Sequence, residues 1–489
     1  MPVLLRSCCL SGLLLLLAGF AAAQPQGTED RRPNVLFILT DDQCWEALGC
    51  TGGEVETPNL DRLAASGTLF TRAYNMGSWS GAVCMPSRTM LITGRKLWNV
   101  YPIDQQLVAR QRKKAAQAPG KPIDTGTAWP EWFSQAGYRT YFAGKWHTNF
   151  HKAEDVFDVV GTVRPGMPAD TPEGYNRPKS PDDDRWQPWD KQRGGFWEGG
   201  THWSEVLRDE AIGFLKQGAE RPEPFFMYLA FNAPHDPRQS PREYVQRYPA
   251  SKIRTPENFL PEYPYKDQIE CGRSLRDERL APFPRTEYAV QVNRSEYYAL
   301  VTHLDDQIGA VLEALRASGQ ADNTFVLLTS DHGLALGRHG LMGKQNVFEH
   351  SLRAPLIVAG PGLPRGGRSD ARVFLQDVVP TSLEAAGIPV PEEIEFESLL
   401  PLIRGEAGAR DDSMYAAYRM SQRMAIRGDW KIIYYTNVPK HLLFNLADDP
   451  LEMHDLADRP EHAAKLAEMK QALRDDMRQN NDPLKQPQG

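Results

Sequence analysis

The stretch NVLFILTDD, residues 34–42, decides the fold. Seven residues run without alternation between apolar and polar, and two aspartates follow. A strand wetted on one face alternates; a run like this predicts a strand buried on both faces, as in a parallel sheet covered by helices. PFFMYLAF (224–231), TFVLLTS (324–330) and PLIVAG (355–360) read the same way, and YRTYFAG (138–144) is a shorter case. Helical patterns lie between them. TPNLDRLAASG places Leu60, Leu63 and Ala64 on one face, and ALVTHLDDQIGAVLEALRASG carries a stripe of Leu300, Leu304, Ile308, Val311 and Leu315. DVVPTSLEAAG (377–387) reads as another helix. The alternation predicts an α/β domain with a large, mostly parallel central sheet flanked by helices.

The tail differs. SMYAAYR, RMAIRG, WKIIYYT and HLLFNL, within 413–446, are short strands separated by turn residues. They predict a smaller antiparallel sheet, followed by a helix from about Glu461 to Met477. The expected division is a catalytic domain over 24–400 and a C-terminal subdomain over 401–489. Residues 96–128 and 152–203 carry no regular pattern, and loops of that length are usually functional.

The chain has 489 residues, 41% hydrophobic and 24% charged, with a net charge of -7. That balance argues against a non-specific nucleic-acid binder. Residues 1–23 read as a secretory signal peptide: Arg6, an apolar run from Leu10 to Phe20, and small residues at Ala21–Ala23. The run is short of the ~20 residues needed to span a bilayer, and no later segment is long and apolar enough. The expected location is therefore secreted or periplasmic. Cleavage removes Cys8 and Cys9 and leaves Cys44, Cys50, Cys84 and Cys271, too few for a disulfide framework. Cys44 and Cys50 either pair or sit as buried thiols, and the second reading is preferred.

In open α/β sheets ligands bind beyond the carboxyl ends of the strands. Four predicted strands deliver reactive groups there: Asp41 and Asp42, then Lys145 and His147, then His235, then Asp331 and His332 with Lys344 beyond. Three converging carboxylates repel one another unless a cation sits among them, and oxygen ligands suit calcium or magnesium. The lysines and histidines would hold an anion beside that cation. Cys84 and Pro86 open a predicted helix, whose free N–H groups attract anions, and Arg88 adds a positive fork.

Cys84-Met85-Pro86-Ser87-Arg88, followed by Leu91-Ile92-Thr93-Gly94-Arg95, closely resembles the signature of the type I, formylglycine-dependent sulfatases of the alkaline phosphatase superfamily. Asp41-Asp42, Gly144-Lys145-Trp146-His147, Ala233-Pro234-His235 and Ser330-Asp331-His332-Gly333 with Gly340 and Lys344 match that family's other motifs in order, over roughly 33–360. HLLFNLADDPLEMHDLA (441–457) resembles its C-terminal segment. Met85 departs from the small residue usual there, and many relatives carry Asn where His332 stands.

The resemblance implies an alkaline-phosphatase-like fold and a sulfuric ester hydrolase. It implies that a formylglycine-generating enzyme oxidises Cys84 to formylglycine, whose hydrate attacks sulfur and later expels sulfate. It implies calcium held by Asp41, Asp42, residue 84, Asp331 and His332. Arg88 and Lys145 would bind the sulfate, and His147 would take a proton as sulfate departs. His235 and Lys344 would serve the leaving oxygen, and Asp331 would be the base for the attacking hydroxyl.

Trp186, Trp189, Phe196, Trp197 and Trp203 crowd one loop. They would either stack on the rings of a sulfated saccharide or form a hydrophobic cluster under the loop. The basic run Arg110–Lys114 reads as a solvated helix face. Two rival functions share these motifs: hydrolysis of phosphonate monoesters or phosphodiesters at the same site, and glycan binding without turnover.

Overall fold

NVLFILT forms β1 (Asn34–Thr40), at the middle of an eight-stranded sheet. The other strands are β2 (Thr68–Tyr74), β3 (Arg139–Lys145), β4 (Val159–Arg164), β5 (Phe225–Ala230), β6 (Thr324–Ser330), β7 (Arg353–Ala359) and β8 (Gly367–Phe374). Their order across the sheet is β8-β2-β7-β6-β1-β5-β3-β4. The computed structural model describes residues 1, 32–114, 123–168, 171–406 and 412–484. Apart from Met1, the segment expected to be a signal peptide lies outside them.

β1 pairs in parallel with β5 on one side and β6 on the other. Val35, Phe37 and Leu39 join the core on one face; Leu36 and Ile38 join the core on the other. Both faces being covered, the positions from Val35 to Leu39 are all apolar, and each such buried side chain contributes about 1.5–3 kcal/mol. Four helices matter below: α1 (Cys84–Thr93), α2 (Leu97–Lys114), α3 (Glu287–Ala317) and α4 (Ala463–Gln479). Met90, Leu91 and Ile92 of α1 pack in the first core, and Leu300, Leu304, Ile308, Val311 and Leu315 of α3 in the second.

Only β7 runs against the other strands. A parallel neighbour needs a crossover to the far end of the sheet. The connection from Asp331 to Leu352 instead stays at the carboxyl end of β6, and this reversing segment carries Asp331, His332 and Lys344.

The small sheet is β9 (Met414–Tyr418), β10 (Gln422–Arg427), β11 (Trp430–Tyr435) and β12 (Lys440–Asn445), an antiparallel meander. A fifth strand, Gly77–Ser78, pairs in parallel with β9. The stretch just before Cys84 is thus woven into the C-terminal sheet, and Arg32–Gly489 forms one compact unit. Met469, Leu473 and Met477 of α4 share a core with Ala425, Ile432 and Leu443 of that sheet. α2 fills much of the unassigned 96–128 segment, and Arg112 on it is exposed. Among the described residues no helix is long and apolar enough to cross a membrane. Cys44 is buried and Cys50 exposed, and both are free thiols, so the preferred reading holds for Cys44 alone.

Candidate active site

Asp41 and Asp42 leave the carboxyl end of β1 at the centre of the sheet. The chain turns at Asp42, whose φ of 67° is left-handed, a conformation that aspartate tolerates better than most residues. Both carboxylates therefore reach Cys84: Asp41 Oδ1 lies 3.3 Å and Asp42 Oδ1 3.9 Å from its Sγ. The turn is pinned from three sides. Asp41 N–H donates to Ala233 O (3.1 Å), Asp42 N–H to Asp331 Oδ1 (3.2 Å), and Tyr297 O–H to Asp42 O (2.8 Å).

Cys84 is the first residue of α1 and is only 2% exposed. Arg88, one turn along and on the same face, is 1% exposed. Its Nε donates to Asp331 Oδ2 (3.1 Å) and its Nη1 to Lys145 O (2.8 Å). Its Nη2 is buried without a hydrogen-bond partner, 3.8 Å from Asp41 Oδ2. Lys145 ends β3 and pairs with Asp41 Oδ2. It arrives there through Gly144, whose φ of 104° brings the backbone so near β5 that a Cβ would stand 1.9 Å from Ala230 O.

Lys344 Nζ donates to both oxygens of Asp42 (2.7 and 2.8 Å) and lies 3.3 Å from Cys84 Sγ. His332 Nδ1 bonds Gly333 O at 2.8 Å, which places the proton on Nδ1. Nε2 is left facing Cys84 Sγ (3.4 Å) and Asp42 Oδ1 (3.2 Å). His235 is arranged likewise: Nδ1 donates to Asp236 O (2.7 Å), and Nε2 lies 3.8 Å from Asp42 Oδ2.

One ligand atom each from Asp41, Asp42, Cys84, Asp331 and His332 can be chosen so that all lie within 4.8 Å of one another. These are the five ligands expected from the sequence. The donor set fits a hard cation: three carboxylates, and an imidazole nitrogen whose tautomer is already fixed.

The electrostatics follow from burial and neighbours. Burial works against charge on Asp331, yet His332, Arg88, Lys145 and Lys344 hold it well below the usual carboxylate range. Asp41 is likewise lowered, because Lys145, His235 and Arg88 outweigh burial and the repulsion of Asp331. Burial raises Asp42 well above the usual range despite Lys344. Burial, then Asp41, push the Cys84 thiol well up, against Lys145 and Lys344. Burial, with the nearby charges of Lys145 and Arg88, lowers His147 to about 3, and its Nδ1 is buried without a partner.

One expectation needs revision, and one open alternative is decided. Asp331, expected as the base, turns its oxygens to Arg88, to Asp42 N–H and to His332, whereas Asp41 is the carboxylate nearest Sγ. In the Trp-rich loop, Trp186, Phe196 and Trp197 are buried. The chain's own cations cover four indoles: Arg177 on Trp186 (5.3 Å), Arg242 on Trp189 (5.3 Å), Lys191 on Trp197 (4.9 Å) and Arg164 on Trp203 (4.4 Å). The loop is a packed cluster, not an open stacking platform.

The sequence reading missed Asp236, Arg276 and Asp277. Asp236 directly follows His235 and was within reach of the same strand-end argument. Arg276 and Asp277 open a short 3-10 turn, Asp277–Leu280, with no strand to announce them.

A family profile, "Sulfatase", matches residues 33–388, and another, "N-sulphoglucosamine sulphohydrolase, C-terminal", matches 337–479. The uncharacterized sulfatase YidJ of Escherichia coli is 30% identical, over 93% of this chain and 89% of that protein. An N-acetylglucosamine-6-O-sulfatase of Bacteroides thetaiotaomicron is 26% identical, over 97% of this chain and 92% of that protein. Human N-acetylgalactosamine-6-sulfatase is 31% identical, over 76% of this chain and 66% of that protein. A solved complex with its substrate D-glucosamine-2-N,6-O-disulfate shares the fold, with a TM-score of 0.69 and 24% identity over 93% of this chain and 99% of that one. So does the phosphonate monoester hydrolase of Silicibacter pomeroyi, with a TM-score of 0.71 and 22% identity over 92% and 96%. The chain belongs to the sulfatase family, within the alkaline-phosphatase-like fold, and is a sulfuric ester hydrolase.

Proposed function

We propose that the chain is an exported sulfatase that removes sulfate esters from a saccharide, using a formylglycine made from Cys84 and a calcium ion held by the carboxylate cluster. One observation carries the reading: five ligand atoms gathered around position 84, faced by Arg88, Lys145 and Lys344. The relatives named for N-acetylglucosamine 6-sulfate and N-acetylgalactosamine 6-sulfate support the saccharide. The raised thiol supports the modification, since a neutral buried thiol is a poor nucleophile at neutral pH.

Calcium would supply a positive centre that draws in the ester and acidifies an oxygen bound at position 84. The formylglycine hydrate would supply the attacking hydroxyl in place of Sγ. Asp41, nearest Sγ, takes that hydroxyl's proton. Arg88 and Lys145 hold the sulfate oxygens, and Arg88 has Nη2 free to do so. His147, kept neutral by burial, takes the proton released as sulfate departs. His235 and Lys344 serve the leaving oxygen. With Asp41, Asp42 and Asp331 matched by Arg88, Lys145 and Lys344, a divalent cation leaves a net positive charge that suits an anionic ester.

The test is expression with a formylglycine-generating enzyme and calcium, followed by assay of inorganic sulfate from sulfated saccharides, with Cys84→Ala as the blank. A phosphonate monoester and a phosphodiester run in parallel. Sulfate release absent from the variant supports the proposal. Turnover of the phosphorus esters alone would replace it with the rival hydrolase. No release, with the aldehyde present by mass spectrometry of the residue-84 peptide, would favour a glycan-binding role.

A further inference from the structure

Behind His235 and Lys344 lies a buried ionic group that the sequence motifs do not include. Asp236 is 4% and Asp277 3% exposed. Asp236 meets His235 Nδ1 twice: its carbonyl accepts the ring N–H at 2.7 Å, and its Oδ1 lies 3.2 Å from the same nitrogen. Asp277 Oδ2 lies 3.9 Å from Lys344 Nζ and accepts from Gln345 Nε2 at 2.7 Å. Arg276 joins the two carboxylates. Its Nη2 donates to Asp277 Oδ1 (2.7 Å) and to Asp236 Oδ1 (3.4 Å), and its Nε donates to Asp277 Oδ1 (2.9 Å). Tyr175 O–H closes the far side, donating to Asp236 Oδ2 at 2.9 Å.

This arrangement answers a problem set by the metal cluster. Lys344 is held chiefly by Asp42, which the proposed function assigns to a cation. A carboxylate committed to a divalent ion holds an ammonium less well, so Lys344 needs another anchor. Asp277 is the other carboxylate within salt-bridge distance of Nζ among the described residues. Asp236 fixes the tautomer and plane of His235 from the side opposite Asp42. Arg276 locks the two anchors at one spacing, 23% of its side chain being exposed.

We propose that Asp236, Arg276 and Asp277 form a positioning brace that holds His235 and Lys344 together on the leaving oxygen of the ester. The inference rests on the leaving-group roles given above. When the S–O bond breaks, its electron pair stays on the bridging oxygen. That oxygen takes a proton from Lys344 Nζ, which is then reprotonated from water, and Asp236 holds the His235 ring in place beside it. The brace therefore matters for alcohols, which leave poorly without a proton. It matters much less for nitrophenolate, which leaves as the anion.

The experiment compares Arg276→Ala, Arg276→Lys, Asp236→Asn and Asp277→Asn with the matured wild type, on 4-nitrophenyl sulfate and on a saccharide 6-sulfate. Thermal melting checks folding, and Arg316→Ala, on an exposed helix pair, is the control. The brace predicts that kcat on the saccharide ester falls at least tenfold more than kcat on the aryl ester in the Ala and Asn variants. It predicts partial recovery in Arg276→Lys and an unchanged ratio in the control. Equal loss on both esters, or loss on neither, overturns the brace while leaving the proposed function standing. No sulfate from either ester in the matured wild type takes down both.

Discussion

Two of the buried charge clusters among the described residues differ in how their charges are arranged. At the base of the small sheet, Lys431 Nζ lies 3.0 Å from Glu349 Oε1 and 2.7 Å from Glu452 Oε1. Tyr74 O–H donates to Glu349 Oε2 (2.7 Å), and Glu349 N–H donates to Glu452 Oε2 (2.7 Å). Two cations there, Lys431 and Arg353 (Nη1 3.6 Å from Glu349 Oε2), stand against two carboxyl groups. Around Cys84 the anions instead face one another, and Arg88 keeps a buried nitrogen unbonded. Burial and charge are common to both. What distinguishes the site is that its carboxylates converge on one point beside an unbonded guanidinium nitrogen, an arrangement that a cation and an oxyanion would complete.

Cys84→Ala should remove all sulfate release while leaving the melting temperature near that of the wild type; activity in that variant would break the contrast outright. Asp42→Asn should abolish the stabilisation that calcium confers, about 2.7 kcal/mol at a hundredfold excess over Kd, as read by thermal melting with and without chelator. Lys344→Ala should lower kcat on a saccharide ester by about 10²–10⁴, the usual worth of a positioned proton donor.

The second cluster should respond in the opposite sense. Lys431→Met takes away the cation that faces Glu452 and leaves Glu349 with Arg353, and should cost about 3–5 kcal/mol in chemical denaturation, with kcat per folded molecule unchanged. The smallest effect concerns Glu452, which burial raises from the ordinary 4.5 to about 7 despite Lys431. Its folded form holds a proton that the unfolded chain has released, so its contribution falls as pH rises from about 4.5 to about 7 and is constant above. Glu452→Gln should flatten that part of the stability–pH curve.

The sequence showed the centre of the fold better than its edges. β1, β5 and β6 are continuous apolar runs because both faces are covered. β8, GRSDARVF, and β4 lie at the sheet edges, where polar residues are tolerated, and neither announced itself. β2 is internal, but Thr71 and Arg72 interrupt its run. The reversed direction of β7 was equally hidden, since an apolar run has no polarity. All ten expected site residues could be named because each follows a strand or opens a helix. The brace could not be read in the same way: Arg276 and Asp277 reach the site from a short 3-10 turn that follows no strand.

The burial of Cys84 has a consequence for the order of events in the cell. At 2% exposure, enclosed by Asp41, Asp42, His332 and Lys344, its sulfur is beyond the reach of another protein once the chain has folded. On the proposed function, oxidation and folding are then competitors in time, and whichever comes first is permanent. A chain that folds early is trapped as a well-formed but inert thiol, indistinguishable by melting from its active counterpart. The active fraction of any preparation becomes a record of that race. Adding the maturation enzyme to native protein should leave the fraction unchanged, whereas unfolding and refolding in its presence should raise it.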